Sequence, residues 1–273
     1  PYAKKELRCP IIYYILPKLW AWRAGRIRQL RRYVDLGLSI LPFETSYFSD
    51  RGLRTAYIGN PCVDAKLTYL AEHPEAVERE QMLLLVPGSR QSELRDNLPE
   101  MLAATAAYSQ LGWRVVIAGA PGLTAADYAP HLGKYSDTPI LFGDTYGLMR
   151  RAHAALVTSG TATLEAGLWG IPMVVCYRMG GRRIARLAFE RLFRVPYFSL
   201  VNLILDRPAV PELLADRAHS VQILSILSRL IPEEDHRRTD QLQALAQLQE
   251  LMGTEPSAPR AARAILSYLH EAR

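Results

Sequence analysis

An open, parallel α/β sheet is the fold that this sequence predicts, on three observations. From Gln81 onward short apolar runs alternate with segments of helical periodicity, the pattern of a doubly wound sheet. Two of the runs break into small-residue loops that open into helices, at Pro87-Gly-Ser-Arg90 and Thr158-Ser-Gly-Thr161. Lastly, 273 residues with 49% hydrophobic content suffice for one large or two modest cores, which excludes a disordered chain.

Taken in order, Cys9 to Ile15 reads as a strand closed by Pro17. Arg23, Arg26, Arg28, Arg31 and Arg32 then crowd a helical stretch near Trp20, Trp22 and Tyr33. Basic residues interleaved with aromatic ones suit RNA, phospholipid head groups or a phosphorylated substrate; a solvated face with the tryptophans turned inward has the same signature. Leu36 to Leu41 and Thr55 to Ile58 read as further strands, with a short helix starting at Pro42-Phe-Glu44 between them. Gly59-Asn-Pro-Cys62 breaks the pattern, and Lys66 to Glu80, charged and weakly helical, reads as a linker.

The main sheet is expected from Met82 to Val86, Arg114 to Ala118, Pro139 to Phe142, Ala154 to Val157 and Pro172 to Cys176. Helices are expected near 94–111, 145–151, 162–169 and 182–193, and after Pro196 the chain reads as helices near 199–206, 218–230, 234–252 and 259–270. Five strands fill one doubly wound sheet, whereas residues 1 to 60 supply about three, so the first domain reads as partial.

The two loops carry the chemistry. Ser159 and Thr161 are good N-cap residues, Gly160 permits a left-handed backbone, and the amides at the helix start form a phosphate site. Glu165 lies about one and a half turns on, within reach of a sugar hydroxyl beyond that phosphate. An ordinary capped helix has the same signature. The second loop adds Gly88, Ser89 and Arg90, and a guanidinium fork suits a diphosphate. On one sheet both loops face the crevice outside the carboxyl ends of the strands. A third loop, Gly119-Ala-Pro-Gly122, reads as a plain turn or as a base or ribose contact.

Other properties bound the answer. A net charge of +6 is a moderate basic excess, which does not choose among anionic ligands, nucleic acid and acidic membranes. Cys9, Cys62 and Cys176 are too dispersed for a disulfide framework or a zinc site. No run of about 18 apolar residues suggests a membrane-spanning helix.

One family resemblance ties these stretches together. Pro17-Lys-Leu-Trp-Ala-Trp-Arg23, Leu41-Pro-Phe-Glu44, Ile58-Gly-Asn-Pro61, Val86-Pro-Gly-Ser-Arg90 with Glu93, Thr158-Ser-Gly-Thr-Ala-Thr-Leu-Glu165, Pro172-Met-Val-Val-Cys-Tyr-Arg178, and Ser199-Leu-Val-Asn-Leu-Ile204 with Pro211-Glu-Leu-Leu214 follow one another in the order that resembles lipid-A-disaccharide synthase. That resemblance implies a GT-B-like glycosyltransferase: a partial N-terminal Rossmann-like domain on the acceptor side over 1–62, a linker over 63–80, a complete UDP-sugar-binding Rossmann-like domain over 81–205, and C-terminal helices over 206–273.

It also implies a reaction. An inverting hexosyltransferase of this kind moves 2,3-diacylglucosamine from UDP-2,3-diacylglucosamine to 2,3-diacylglucosamine 1-phosphate, releasing UDP. Gly88, Ser89, Arg90, Ser159, Gly160 and Thr161 would hold the diphosphate, and Glu165 the ribose. Asn202 and Glu212 would line the same cleft near the donor. Trp20, Trp22, Arg23 and Arg26 would lie on the acceptor and membrane side, giving a cytoplasmic protein held peripherally on the inner face of the cytoplasmic membrane. The partners implied are the two lipid substrates and that membrane surface, without nucleic acid; a homodimer is left open. No cofactor and no metal are expected, since the chain lacks an Asp-x-Asp motif and amides with Arg90 can stabilise the leaving diphosphate.

Three departures from the family pattern qualify this. The family's first strand and its general base would precede Pro1, so the base is expected outside this chain. Ala215 stands where a glutamine is usual, and Asn60 where the hinge motif has histidine. The alternatives are a UDP-sugar-binding part that does not turn over alone, and another UDP-GlcNAc-using transferase or epimerase of the same fold.

Overall fold

The computed structural model describes residues 2–7, 9–21, 24–178 and 196–271. Of these, 2–72 and 250–271 form one compact unit, and 73–178 and 196–249 a second.

The first unit holds a three-stranded parallel sheet of β1 (Ile12–Tyr14), β2 (Leu36–Ser39) and β3 (Thr55–Tyr57), in that order. All four residues of the central β2 are buried, as a strand covered on both faces requires. Helix α1 (Ile27–Tyr33) carries the arginines, and α2 (Pro42–Ser49) starts with proline in its first turn, where no backbone donor is lost. Leu16, Leu19, Val34, Phe48 and Leu53 make one core cluster. Helix α3 (Pro61–Glu72) follows, so the expected linker is divided: its first part is helical, and 73–80 has no regular element. That remainder is fastened nonetheless. The Arg79 guanidinium donates to the carbonyls of Ala152 (2.5 Å), Trp169 (3.0 Å) and Gly170 (2.8 Å).

The second unit is built on six parallel strands: β4 (Met82–Val86), β5 (Arg114–Gly119), β6 (Ile140–Phe142), β7 (Ala154–Thr158), β8 (Met173–Tyr177) and β9 (Glu212–Leu214). Five of them fall within two residues of the expected runs. The sixth, β9, lies in a stretch after Pro196 that reads as helical, and three residues are too few to show an alternation. Every residue of β4 and β7 is buried, and each buried Leu or Val contributes about 1.5–3 kcal/mol.

Helices α4 (Gln91–Gln110), α5 (Ala125–Leu132), α6 (Thr145–Arg151), α7 (Thr161–Leu168), α8 (Leu200–Leu205), α9 (Ser220–Leu227) and α10 (His236–Met252) complete the order. Leu83, Leu85, Val115, Ile117, Ala154, Leu156, Val174 and Cys176 form one sheet face, which joins Leu94, Leu98, Met101, Leu102, Ile223 and Leu227 in a single core. The helix expected over 182–193 lies outside the described residues. The last helix, α11 (Ser257–Glu271), belongs to the first unit, where Ala261, Ala264, Ile265 and Tyr268 cover Leu36, Leu38 and Ile58.

Candidate active site at a sheet switch point

The strand order β6-β5-β4-β7-β8-β9 means that the chain winds outward from β4 to β6, then returns to wind the other way from β7. The reversal falls between β4 and β7, whose residues Val86 and Val157 are register partners. Loops leaving the carboxyl ends of these two strands flank the crevice in which such sheets take ligands. They are the Pro87–Arg90 and Ser159–Gly160 loops.

In the first loop Gly88 has φ 115°, a conformation that favours glycine, and a Cβ there would lie 2.4 Å from Glu93 Oε2. Glu93, in the first turn of α4, folds back over the loop. Its Oε2 accepts from the Ser89 amide (2.9 Å) and its Oε1 from Arg90 Nη1 (2.6 Å). The Arg90 side chain is 76% exposed. A carboxylate thus occupies the loop amide and the guanidinium together, the pairing that a phosphate oxygen would make.

The second loop differs from expectation in its cap. Gly160, at φ 151°, is the N-cap of α7, and no side chain caps the helix. Ser159 is turned away because its hydroxyl donates to the Phe198 carbonyl (3.0 Å), and the Thr163 hydroxyl donates to the Gly160 carbonyl (2.8 Å). Thr161 opens the helix rather than capping it. A helix start without a side-chain acceptor has its leading amides directed at whatever anion lies beyond.

Glu165 is half-buried one turn further along, and its Oε1 accepts from the Tyr146 hydroxyl (2.8 Å). The Tyr146 ring packs on Trp169 at 5.7 Å between centroids. Sequence reading missed Tyr146; its one signal is an aromatic residue at the start of the helix that follows β6.

Asn202 and Glu212 are brought together, but with each other and with the backbone. Asn202, 1% exposed, donates through Nδ2 to the Val210 carbonyl and to Glu212 Oε1 (both 2.9 Å), and its Oδ1 accepts from the Val210 amide (2.8 Å). Glu212 also accepts from the amides of Phe198 (3.1 Å) and Ser199 (2.8 Å). A continuous polar chain therefore runs from Ser159 through Phe198 and Glu212 to Asn202 and Val210. Beyond it, Ala215 is buried at φ 53°, a backbone that is strained for alanine.

The third loop borders a hollow of about 460 Å³ lined mainly by Gly119–Thr124, Phe142 and Gly143, at the carboxyl ends of β5 and β6. The Tyr128 hydroxyl supports it by accepting from the Ala120 amide (2.8 Å).

The remaining expected residues lie in the first unit. Trp20 is half-buried; its Nε1 donates to Glu44 Oε1 (2.9 Å), and its ring meets Phe43 edge-on at 5.0 Å. Burial holds the Glu44 carboxyl above the usual range, although Trp20 and the Leu41 and Ile40 amides donate to it. Trp22 and Arg23 lie outside the described residues, and Arg26 is exposed with Arg28, Arg31 and Arg32. Among the described residues of this unit, the exposed aromatic side chains are Tyr2, and Tyr13 and Tyr14 at the end of β1. Asn60 braces its turn, donating to the Ile40 carbonyl and accepting from the Cys62 amide (both 2.9 Å).

A model of the lipid-A-disaccharide synthetase family matches residues 2–266. The chain belongs to that family. It is 35% identical over 278 residues to the lipid-A-disaccharide synthase of Myxococcus xanthus, covering 98% of this chain and 72% of that one. With the synthase of Acidobacterium capsulatum it shares 33% identity over 274 residues, covering 93% and 67%. The chain thus spans about 70% of the length of such relatives. Among solved structures, UDP-GlcNAc 2-epimerase from Neisseria meningitidis bound to UDP-GlcNAc is similar with a TM-score of 0.57 and 14% identity, covering 97% of this chain and 71% of that one. The S. aureus MnaA–UDP co-structure gives 0.59 and 16%, covering 98% and 72%. At such identity these likenesses show the fold alone, the GT-B-like α/β architecture of two parallel sheets and C-terminal helices.

Proposed function

We propose that the crevice between β4 and β7 holds the UDP moiety of UDP-2,3-diacylglucosamine, and that the chain serves its transfer to 2,3-diacylglucosamine 1-phosphate with release of UDP. The observation that carries this reading is the pairing of Val86 with Val157, which sets the Arg90 loop beside the uncapped start of α7 in a member of the lipid-A-disaccharide synthetase family.

In this reading the diphosphate displaces Glu93 from Arg90 and from the Ser89 amide. It then lies between that guanidinium and the leading amides of α7. Negative charge grows on the departing diphosphate as the glycosidic bond to the sugar carbon breaks, and donors already in position stabilise it without reorganising. Glu165, oriented by Tyr146, takes the ribose hydroxyls, and the hollow at Gly119 and Phe142 takes the base. Ser159, Asn202 and Glu212 hold the loops in place.

A second reading, donor binding without turnover by this chain alone, is favoured by the state of the carboxylates. Glu93, Glu165 and Glu212 are each engaged as acceptors in this structure, and Glu93 leaves its partners only when a diphosphate takes its place. Turnover of the two lipid substrates, with UDP and disaccharide followed together, separates the readings. Disaccharide that disappears in Arg90→Ala supports transfer by this chain. UDP binding that depends on Arg90 and Glu165, without disaccharide, supports the second reading. UDP binding indifferent to both residues would overturn the site.

A further inference from the structure

A cavity of about 880 Å³ lies within the second unit, and its lining includes no residue of the two glycine-bearing loops. It is bounded by the segment from Arg207 to Glu212, by the end of α9 and by the first turns of α10. This volume is within the range of small-molecule sites.

Its lining sets three arginines against two carboxylates, Glu212 and Asp240. Arg207, Arg229 and Arg237 reach it from three different elements. Arg207 donates to Gln247 (2.8 Å), whereas Arg229 and Arg237 have no carboxylate partner among the described residues. Of the two acidic residues on the lining, Glu212 is already tied to the Phe198 and Ser199 amides, which leaves Asp240. Three like charges around one concave volume repel one another, and a bound anion removes that cost. The buried floor is partly apolar, with Val210, Leu230 and Ala244 beside the polar Asn202 and Gln241.

We propose that this cavity is a second anion site, which takes a phosphate-bearing small molecule and is separate from the donor crevice. Three guanidiniums lining one volume offer enough donors for the several oxygens of a phosphate group, which a single carboxylate would not use. The apolar part of the floor accommodates the organic moiety. Asn202 and Glu212 also border the cavity, so a ligand there bears on the polar chain that carries Ser159.

Calorimetric titration of the full chain with inorganic pyrophosphate tests this, with Arg90→Ala, the pair Arg229→Gln and Arg237→Gln, and the charge-retaining pair R229K and R237K. Thermal unfolding midpoints establish that each variant is folded. The expected result is a class of sites that weakens roughly tenfold or more in the Gln pair, weakens less in the Lys pair, which keeps the charge but not the forks, and is unchanged in Arg90→Ala. No detectable pyrophosphate binding, binding unaffected in the Gln pair, or loss of all binding in Arg90→Ala would overturn it. Flotation with phosphatidylglycerol vesicles identifies the source of the phosphate: a lipid headgroup makes flotation fall in the Gln pair, and a soluble phosphate leaves it unchanged.

Discussion

Asn202→Ala distinguishes bracing from ligand contact. The Asn202 side chain is 1% exposed and makes three hydrogen bonds, two of them to the amide and carbonyl of Val210, itself 1% exposed. Truncation leaves both Val210 groups unpaired, at about 1–3 kcal/mol each, and removes one donor from the Glu212 carboxylate, at about 1.5–3 kcal/mol. Part of this is recovered if water enters, so the expected loss is about 3–6 kcal/mol, a large fraction of the roughly 5–15 kcal/mol that holds a typical domain folded. Urea unfolding followed by circular dichroism measures it, alongside UDP binding by calorimetry. Asn202→Asp is the control: it keeps an acceptor for the Val210 amide but sets a carboxylate beside Glu212, and should be at least as destabilised near neutral pH. A loss below about 1 kcal/mol in Asn202→Ala, with UDP affinity reduced, would refute bracing and make Asn202 a donor contact.

Three further outcomes are expected. Tyr146→Phe should cost about 1 kcal/mol of stability and weaken UDP binding less than Glu165→Ala does, since the carboxylate remains while its orienting hydroxyl is lost; equal effects in calorimetry would argue against that division. Burial depresses the His153 pKa, helped by Arg238 and Arg79 and opposed by the Ile231 carbonyl and Glu233. The folded state therefore favours the neutral ring, so its contribution is intact above the ordinary value of 6.5 and is lost as pH falls below it; a thermal midpoint that falls between pH 7 and pH 5, and falls less in His153→Gln, would bear this out. Flotation with anionic vesicles should weaken in Arg26→Glu with Arg31→Glu and at higher salt, whereas Trp20→Phe should act on stability through Glu44; flotation indifferent to the arginines would exclude that surface.

How much of this was legible in the sequence depends on the range of the interaction concerned. The apolar runs at 82–86 and 154–158 announce buried strands because a parallel strand is covered on both faces, so the pattern is local and complete in five residues. The two loops were legible as strand-to-helix turns for the same reason, since glycine and small polar residues directly after an apolar run mark a local break. What the sequence could not carry is direction. Ser159 has the composition of a cap, yet its hydroxyl goes to Phe198, 39 residues away, and this choice is made by the packing of α8 on α7. Trp20 reads as well for a membrane face as for a core, and the deciding partner, Glu44, is 24 residues on. Strand β9 is invisible because its three residues earn their conformation from β8 alone.

The same distinction bears on function. Arg90 and Glu165 stand out in the sequence as charged residues beside two strand-end loops, and the structure adds what holds each of them, Glu93 for one and Tyr146 for the other. In the proposed site, the donor breaks the first pairing and keeps the second. Arg90→Ala and Glu93→Gln should therefore differ in sign: removing the arginine weakens UDP binding, while removing the competing carboxylate charge strengthens it, provided the Pro87–Arg90 loop keeps its shape. Weaker binding in both variants would mean that Glu93 supports the loop more than it competes with the ligand, a distinction that a Gly88→Ala variant, strained at the same turn, would reproduce.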